Sequence, residues 1–366
     1  MNDNMFRPVF NFTELIRSAL DDIERQMWLV DNMLIMPKYE EWIKRDIRIE
    51  RATGTTRIEG STLDEAAVRQ LANDRHAGRP TEDELANLNA LRAYEFIDFL
   101  SDQADIPIDE LVIRQLNRYF MDGAPPILTP GAYRKGKNSV GNFDSPDQGD
   151  VPDLMRSFAL WLRNEDEELH PIIKAGIAHL HLVAIHPFWD GNGRAARGLS
   201  TLVLQQTGFG FKKLLSLEFH LSAIRDSYFA AIERALGASF SENYDSTGWL
   251  EFFVVTMKLH IDTLVGRLTD WHRMMQDLHE SVANAGLTPR QVDGQMYALH
   301  LGQITRFDYI EVTGVSPLTA SRDLAKLVEL GFLDAEGKTR SRVYRPIGAR
   351  QEAQGESTEQ QLTLPE

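Results

Sequence analysis

The chain has 366 residues, 43% of them apolar and 25% charged, and a formal net charge of −15. That length suits two or three domains, and the acidic balance excludes a broadly basic coat for nucleic acid. The absence of cysteine excludes disulfides, thiolate chemistry and cysteine-ligated zinc and fits a cytoplasmic location, while no apolar run reaches the length of a membrane span and no signal-peptide pattern opens the chain.

Helical spacing of apolar residues predicts helices over 12–30 (Leu15, Ile16, Leu20, Ile23, Met27) and 39–53 (Trp42, Ile43, Ile47, Ile49). More helices are expected over 63–73, 82–102 and 109–119. Gly, Pro, Asn and Asp break the pattern between 122 and 150, where a short hairpin from Asn138 to Phe143 is expected. Val151-Pro152 opens a further helix, with proline in its first turn. Two apolar runs follow, Ile172 to Ile185 and Ala195 to Leu204, and long helices are expected over 217–236 and 247–280.

Between those two runs stands His186-Pro187-Phe188-Trp189-Asp190-Gly191-Asn192-Gly193-Arg194-Ala195-Ala196-Arg197. A glycine-rich turn opening a helix is an anion site, because free N–H groups and the helix dipole point at the same place. Arg194 and Arg197 lie three apart and share a helix face, which suits bidentate phosphate contacts. His186 adds a group whose ordinary pKa lies near working pH. The segment therefore reads as a polyphosphate site with a candidate base beside it. The Walker pattern is absent, so this is not a P-loop. His179 and His181 are two apart on a helix and face different ways, which argues against a histidine metal site.

Every fixed position of this segment matches the signature of the Fic family, HPFx[DE]GNGRxxR, and the resemblance extends over roughly residues 10 to 255. It implies a protein adenylyltransferase that moves AMP from Mg²⁺-ATP to a Ser, Thr or Tyr hydroxyl. It implies His186 as the base, Asp190 as the Mg²⁺ ligand, and Gly191, Asn192 and Gly193 as donors to the α-phosphate. It gives Arg194 the β-phosphate and Arg197 the γ-phosphate, with Phe188 as a core anchor. Arg225 and Tyr228 match an R-x-x-Y element, in which Tyr228 would stack on adenine. Gly131-Ala132-Tyr133-Arg134 resembles the start of the family's flap, so a target protein would dock around 133–145 by adding a strand to the hairpin.

Upstream, Thr55-Thr56-Arg57-Ile58-Glu59-Gly60 fits [ST]xxxE[GN], which resembles the family's inhibitory motif in the class that carries it on an N-terminal helix. The expectation is an ion pair between Glu59 and Arg197 that keeps the γ-phosphate from its place. A charge-assisted hydrogen bond is worth about 1.5–3 kcal/mol, or roughly 10- to 150-fold in the competent population.

After the long helix, 287–301, 307–315 and 316–330 read as three helices, with Ser316 as N-cap and Pro317 in the first turn of the third. Short strands are expected at 332–334 and 343–345 around a basic wing carrying Lys338, Arg340 and Arg342. This resembles a winged helix-turn-helix. Asp323 and Glu329 offset Arg322 and Lys326 on its third helix, so a protein-interaction role is preferred to DNA binding by 316–342. The expected fold is mainly α: a Fic-type helical bundle with a short β-hairpin flap and a small C-terminal winged helix-turn-helix. The expected domains are 1–105, a helical region with the inhibitory motif; 106–255, the Fic core; 256–286, a connecting helix; 287–348, the winged helix; and 349–366, a disordered tail. Self-modification and a homodimer are further expectations of the resemblance. The alternatives are a nucleotide-sensing transcription regulator, transfer of another phosphate-containing group, and removal of AMP.

Overall fold

The computed structural model describes residues 5–33, 37–73, 79–103, 105–163, 169–337 and 342–347. The fold is mainly α, with fourteen α-helices and five short strands among the described residues. In chain order come α1 (Glu14–Asn32), α2 (Pro37–Ile58), α3 (Glu65–Asn73), α4 (Glu82–Ser101) and α5 (Glu110–Phe120). A two-stranded antiparallel hairpin follows, β1 (Ser139–Val140) with β2 (Phe143–Asp144). Then come α6 (Val151–Leu162), α7 (Pro171–Ile185), α8 (Asn192–Gln206), α9 (Leu217–Ala223), α10 (Arg225–Leu236) and α11 (Thr247–Ala285). The chain divides into two compact units, residues 1–265 and 266–366, and α11 runs through the division.

The apolar runs flanking the motif form α7 and α8, the most deeply buried helices of the first unit. From Ile172 to Ile185 every residue of α7 except Lys174 is buried. A helix apolar on all sides belongs inside a bundle. Small residues allow the close contacts around this pair. Gly198 of α8 leaves room for Phe120 and Ile97, and Gly176 of α7 for Leu250 and Phe253. Capping fixes several starts: Thr13, Thr81 and Asp109 each accept a backbone N–H of the first turn of α1, α4 and α5.

Two elements differ from the sequence expectation. The helix expected over 217–236 is two helices, broken at Ile224 (φ −114°, ψ 36°). The segment His220-Leu221-Ser222-Ala223-Ile224-Arg225 holds no glycine or proline that would announce the break. A Cβ on Gly54 of α2 would lie 2.6 Å from the carbonyl carbon of Glu218, so α2 and α9 meet nearly backbone to backbone. The helix expected over 39–53 continues to Ile58 and carries the inhibitory motif in its last turns.

The second unit contains α12 (Pro289–Leu301), β3 (Ile304–Thr305), α13 (Arg306–Thr313), α14 (Pro317–Glu329), β4 (Leu333–Glu336) and β5 (Val343–Pro346). Its strands form an antiparallel sheet in the order β3-β5-β4. The two-residue β3 is too short to leave a period-two pattern in the sequence. Asp323 of α14 is 4% exposed and accepts hydrogen bonds from Arg290 Nε (2.6 Å), Gln291 Nε2 (3.1 Å) and the Tyr309 hydroxyl (3.1 Å). It therefore offers no charge to the outer face of α14, contrary to the expectation from sequence. Lys338, Arg340 and the expected tail 349–366 lie outside the described residues.

Candidate active site

α7 ends at His186, whose backbone is left-handed (φ 49°, ψ 55°) and whose N–H closes the helix on Leu182 O. Such a conformation is strained for a side-chain-bearing residue and needs a tightly determined surrounding. Here the next turn is clamped by Asn192. Its Oδ1 accepts from Phe188 N (2.9 Å) and its Nδ2 donates to Phe188 O (2.9 Å). The amide expected to face a phosphate thus braces the loop in this conformation. Phe188 is 1% exposed and anchors the loop in the core. Gly191 has φ 76°, and a Cβ there would meet Met121 and Asn117, so the position demands glycine on both counts. Asn117 holds the loop from outside through Asp190 O (2.8 Å).

α8 starts immediately after Gly191, and no side chain caps it. Its first-turn N–H groups thus remain to be satisfied from outside the helix. Gly193 lies in that turn, and a Cβ there would sit 3.0 Å from Glu59 Oε1 and 3.1 Å from an Arg197 nitrogen. The Glu59 carboxylate therefore lies beside Gly193, in the first turn of α8. Arg197 Nη2 donates to Glu59 Oε1 at 2.6 Å. Thr55, one turn earlier on α2, accepts from the same guanidinium twice, at Oγ1 from Nε (2.8 Å) and at the backbone O from Nη2 (3.2 Å). The sequence motif includes Thr55 but does not reveal this partner.

Arg197 is 2% exposed. Burial works against its charge, yet Tyr228 and Glu59 raise its pKa further. Burial also works to raise the Glu59 pKa, although 39% of that side chain stays open to solvent. The Arg197 charge, aided by Arg194 and Arg225, outweighs burial and holds the carboxyl below its ordinary value. The pair is therefore ionised on both sides at neutral pH. Burial pulls the His186 pKa down to about 4, so its imidazole is neutral and able to accept a proton.

Arg194 stands apart from this locked pair. Its Nε is buried without a partner, and its nearest carboxylate, Asp190, lies 3.5 Å away. His186 Nδ1 is shielded from solvent as well, with the Val183 backbone as a partner of the ring. The buried Arg194 Nε fits a site completed by a polar ligand. Asp190 is half exposed, with Oδ1 accepting Gly191 N and Oδ2 facing Arg194. Among the described residues no group of three His, Cys, Asp or Glu could hold a metal ion by itself. A single open carboxylate suits a magnesium ion that arrives on phosphate oxygens.

Tyr228, expected to stack on adenine, is 1% exposed behind the arginine. Its hydroxyl meets Arg197 Nη1 (3.4 Å) and His179 Nε2 (2.9 Å). His181 bonds instead to Tyr244, so the two histidines of α7 serve separate contacts. The residue that sequence reasoning underrates is Arg134. It is 2% exposed, and its guanidinium donates to His186 O (2.8 Å), Gly136 O (2.8 Å) and Pro146 O (2.6 Å). It thereby ties the hairpin segment to the loop that starts at His186. On the hairpin itself, β2 uses its outer edge on residues 238–240, through Asp144 N to Ala238 O and Phe240 N to Asp144 O. The outer edge of β1 pairs with no other strand among the described residues.

The helical bundle thus brings a helix N-terminus, two arginines and a histidine together at one loop. Residues 107–204 match the Fic/DOC family model. The chain is 32% identical over 170 residues to the protein adenylyltransferases Fic of Drosophila sechellia and Drosophila melanogaster, which covers 45% of this chain and 34% of each relative. The chain thus spans about a third of the length of these relatives. A Fic family protein from Desulfovibrio desulfuricans G20 has a similar fold, with a TM-score of 0.61 at 21% identity over 94% of this chain and 99% of that one. Fic-1 from C. elegans gives 0.57 at 23% identity over 71% and 72%. No helix among the described residues is long and apolar enough to cross a membrane.

Proposed function

We propose that the chain is a protein adenylyltransferase, held in a restrained state by Glu59. The observation that carries this reading is the Glu59 carboxylate, set beside Gly193 in the first turn of α8 and bonded to a buried arginine. An internal anion there competes with the terminal phosphate of a triphosphate for the same donors.

In the reaction, the oxygen of a Ser, Thr or Tyr side chain on a target protein attacks the α-phosphorus of ATP. Its proton passes to the neutral imidazole of His186. The bond from the α-phosphorus to the bridging oxygen breaks, and pyrophosphate leaves. The first-turn amides of α8, with Arg194 and Arg197, offset the charge on the phosphates. Asp190 would hold Mg²⁺, which neutralises phosphate charge when bound. The unpaired edge of β1 suits a target strand, with Arg134 holding the hairpin in register with His186. The β1–β2 flap, the tethered loop and the restrained arginine thus serve one transfer. The second unit reads as a winged helix that serves as an interaction module. Self-modification, a homodimer and a cytoplasmic location are further parts of the reading.

The test is intact mass after incubation with Mg²⁺-ATP. Glu59→Gly should gain one AMP, wild type less, and His186→Ala none. ATP that neither binds nor labels Glu59→Gly would sink the adenylyltransferase reading and bring other donors forward.

A further inference from the structure

The C-terminal end of α2 is satisfied by groups from other helices. A helix leaves its last four carbonyls without intrahelical partners. In α2 these belong to Thr55, Thr56, Arg57 and Ile58. Thr56 O accepts from Glu59 N and Ser61 N, both at 3.0 Å, and Arg57 O accepts from Gly60 N at 3.0 Å. Gly60 makes this turn possible with φ 105°. Thr55 O accepts from Arg197, and Ile58 O accepts from Arg225 Nε at 2.7 Å. Two arginines from α8 and α10 thus complete the end that bears Glu59.

Arg225 opens α10, and Tyr228 lies three residues on, so both reach from one helix face. Arg225 holds the carbonyl adjoining Glu59, and Tyr228 meets the guanidinium that Glu59 engages. The chemistry at Tyr228 fixes a direction. A guanidinium only donates, so the hydroxyl oxygen accepts from Arg197. The hydroxyl proton is then free to go to His179 Nε2. Burial lowers the His179 pKa to about 3, which leaves the ring neutral and able to accept it. The half-exposed Arg225 guanidinium also packs over Phe229, 4.8 Å from the ring centre.

We propose that Arg225 and Tyr228 are positioning residues for the two partners of the restraint. Arg225 secures the last turn of α2 and so keeps Glu59 in place. Tyr228, backed by His179, keeps Arg197 pointed at the phosphate position whether Glu59 is there or not. The proposal rests on the adenylyltransferase reading only for its rate effects. It separates two residues of one helical turn by sign: one sustains inhibition, the other sustains nucleotide binding. It also differs from an adenine-stacking role for Tyr228, because stacking needs the ring and positioning needs the hydroxyl.

The experiment uses the full chain and two readouts. Hydrogen–deuterium exchange of a peptide covering 50–62 is compared between wild type and Arg225→Gln. AMP transfer is measured in both, in Glu59→Gly and in the double variant. Arg225→Gln should exchange faster at Glu59, Gly60 and Ser61, raise wild-type transfer about 5-fold, and add nothing to Glu59→Gly. Unchanged exchange, or a gain that persists without Glu59, overturns the role of Arg225. Tyr228→Phe in the Glu59→Gly background should weaken ATP binding about 5-fold while keeping its melting temperature within a few degrees. Equal ATP affinity with and without the hydroxyl overturns the role of Tyr228. If Glu59→Gly neither binds ATP nor transfers AMP, the functional reading fails, and the exchange result still decides whether Arg225 secures the helix end.

Discussion

Two helix ends meet at the candidate site, and they are finished in opposite ways. The N-terminus of α8 has no capping side chain, and its glycine leaves the backbone open. The C-terminus of α2 has all four of its terminal carbonyls bonded, two of them by arginines from elsewhere. Glu59 joins the two. At the end of its own helix its charge is opposed by the dipole, and beside the first turn of α8 the same charge is favoured. A carboxylate placed against its own helix and toward another is held by the second helix, and that is the arrangement of a removable plug. The open end is built to receive something, and the closed end to place the substitute.

The contrast can be attacked from either side. The largest effect is expected from His186→Ala in the Glu59→Gly background, a loss of about 10²- to 10⁴-fold in AMP transfer with ATP binding retained. Retained transfer would remove the histidine from the chemistry. Next is Glu59→Gly alone. Because 39% of the Glu59 side chain is exposed, solvent screening favours the low end of the charged-bond range, about a 10-fold gain in labelling rate. Equal initial rates in the two proteins would refute the plug. Gly54→Ala tests the closed end from behind. The added methyl meets α9 backbone, so α2 must shift at about 1–3 kcal/mol in stability. Thermal unfolding should register that loss, and labelling should rise a few-fold as Glu59 is displaced. A Gly54→Ala variant as stable and as restrained as wild type would mean that α2 is not pressed on α9.

The smallest effect concerns pH. A base works when deprotonated, so lowering the pH removes activity as it passes through the pKa. With His186 pulled down to about 4 by burial, kcat/KM of Glu59→Gly should stay flat from about pH 8 to pH 5.5 as far as this group is concerned. A fall centred near 6.5 would mean that the histidine is solvated in the working enzyme. In the second unit, Asp323→Asn should loosen its helices, because the carboxylate that accepts from Arg290, Gln291 and Tyr309 is replaced by an amide. Hydrogen exchange confined to α12–α14 would detect it.

The sequence disclosed the site more fully than the supports of the site. His186 through Arg197 is one continuous segment whose residue types name their chemistry, and Glu59 can be matched to Arg197 because their motifs occur together. The mainly α fold follows from apolar spacing, and α7 is apolar on nearly every side. What escaped is settled by contacts distant in sequence. Nothing local marks Ile224 as a helix break, since no glycine or proline stands between His220 and Arg225. Arg134 reads as a loop arginine until its three carbonyl partners come together. Tyr228 presents the residue type of a base-stacking group, and only tertiary packing puts its hydroxyl on Arg197 and His179. Asp323 reads as surface charge because its partners Arg290 and Tyr309 lie on other helices.

Thr55 and Glu59 grip Arg197 from the same helix, one turn apart. The final turn of α2 can therefore unwind while Thr55 keeps its hold, so release of the arginine needs no departure of the helix. Opening of a bonded helix end is local unfolding, on the scale of microseconds to seconds. An opening at the fast end of that range equilibrates within each catalytic cycle. Product should then accumulate linearly from the first seconds, without a lag, and the restraint acts through occupancy rather than through waiting.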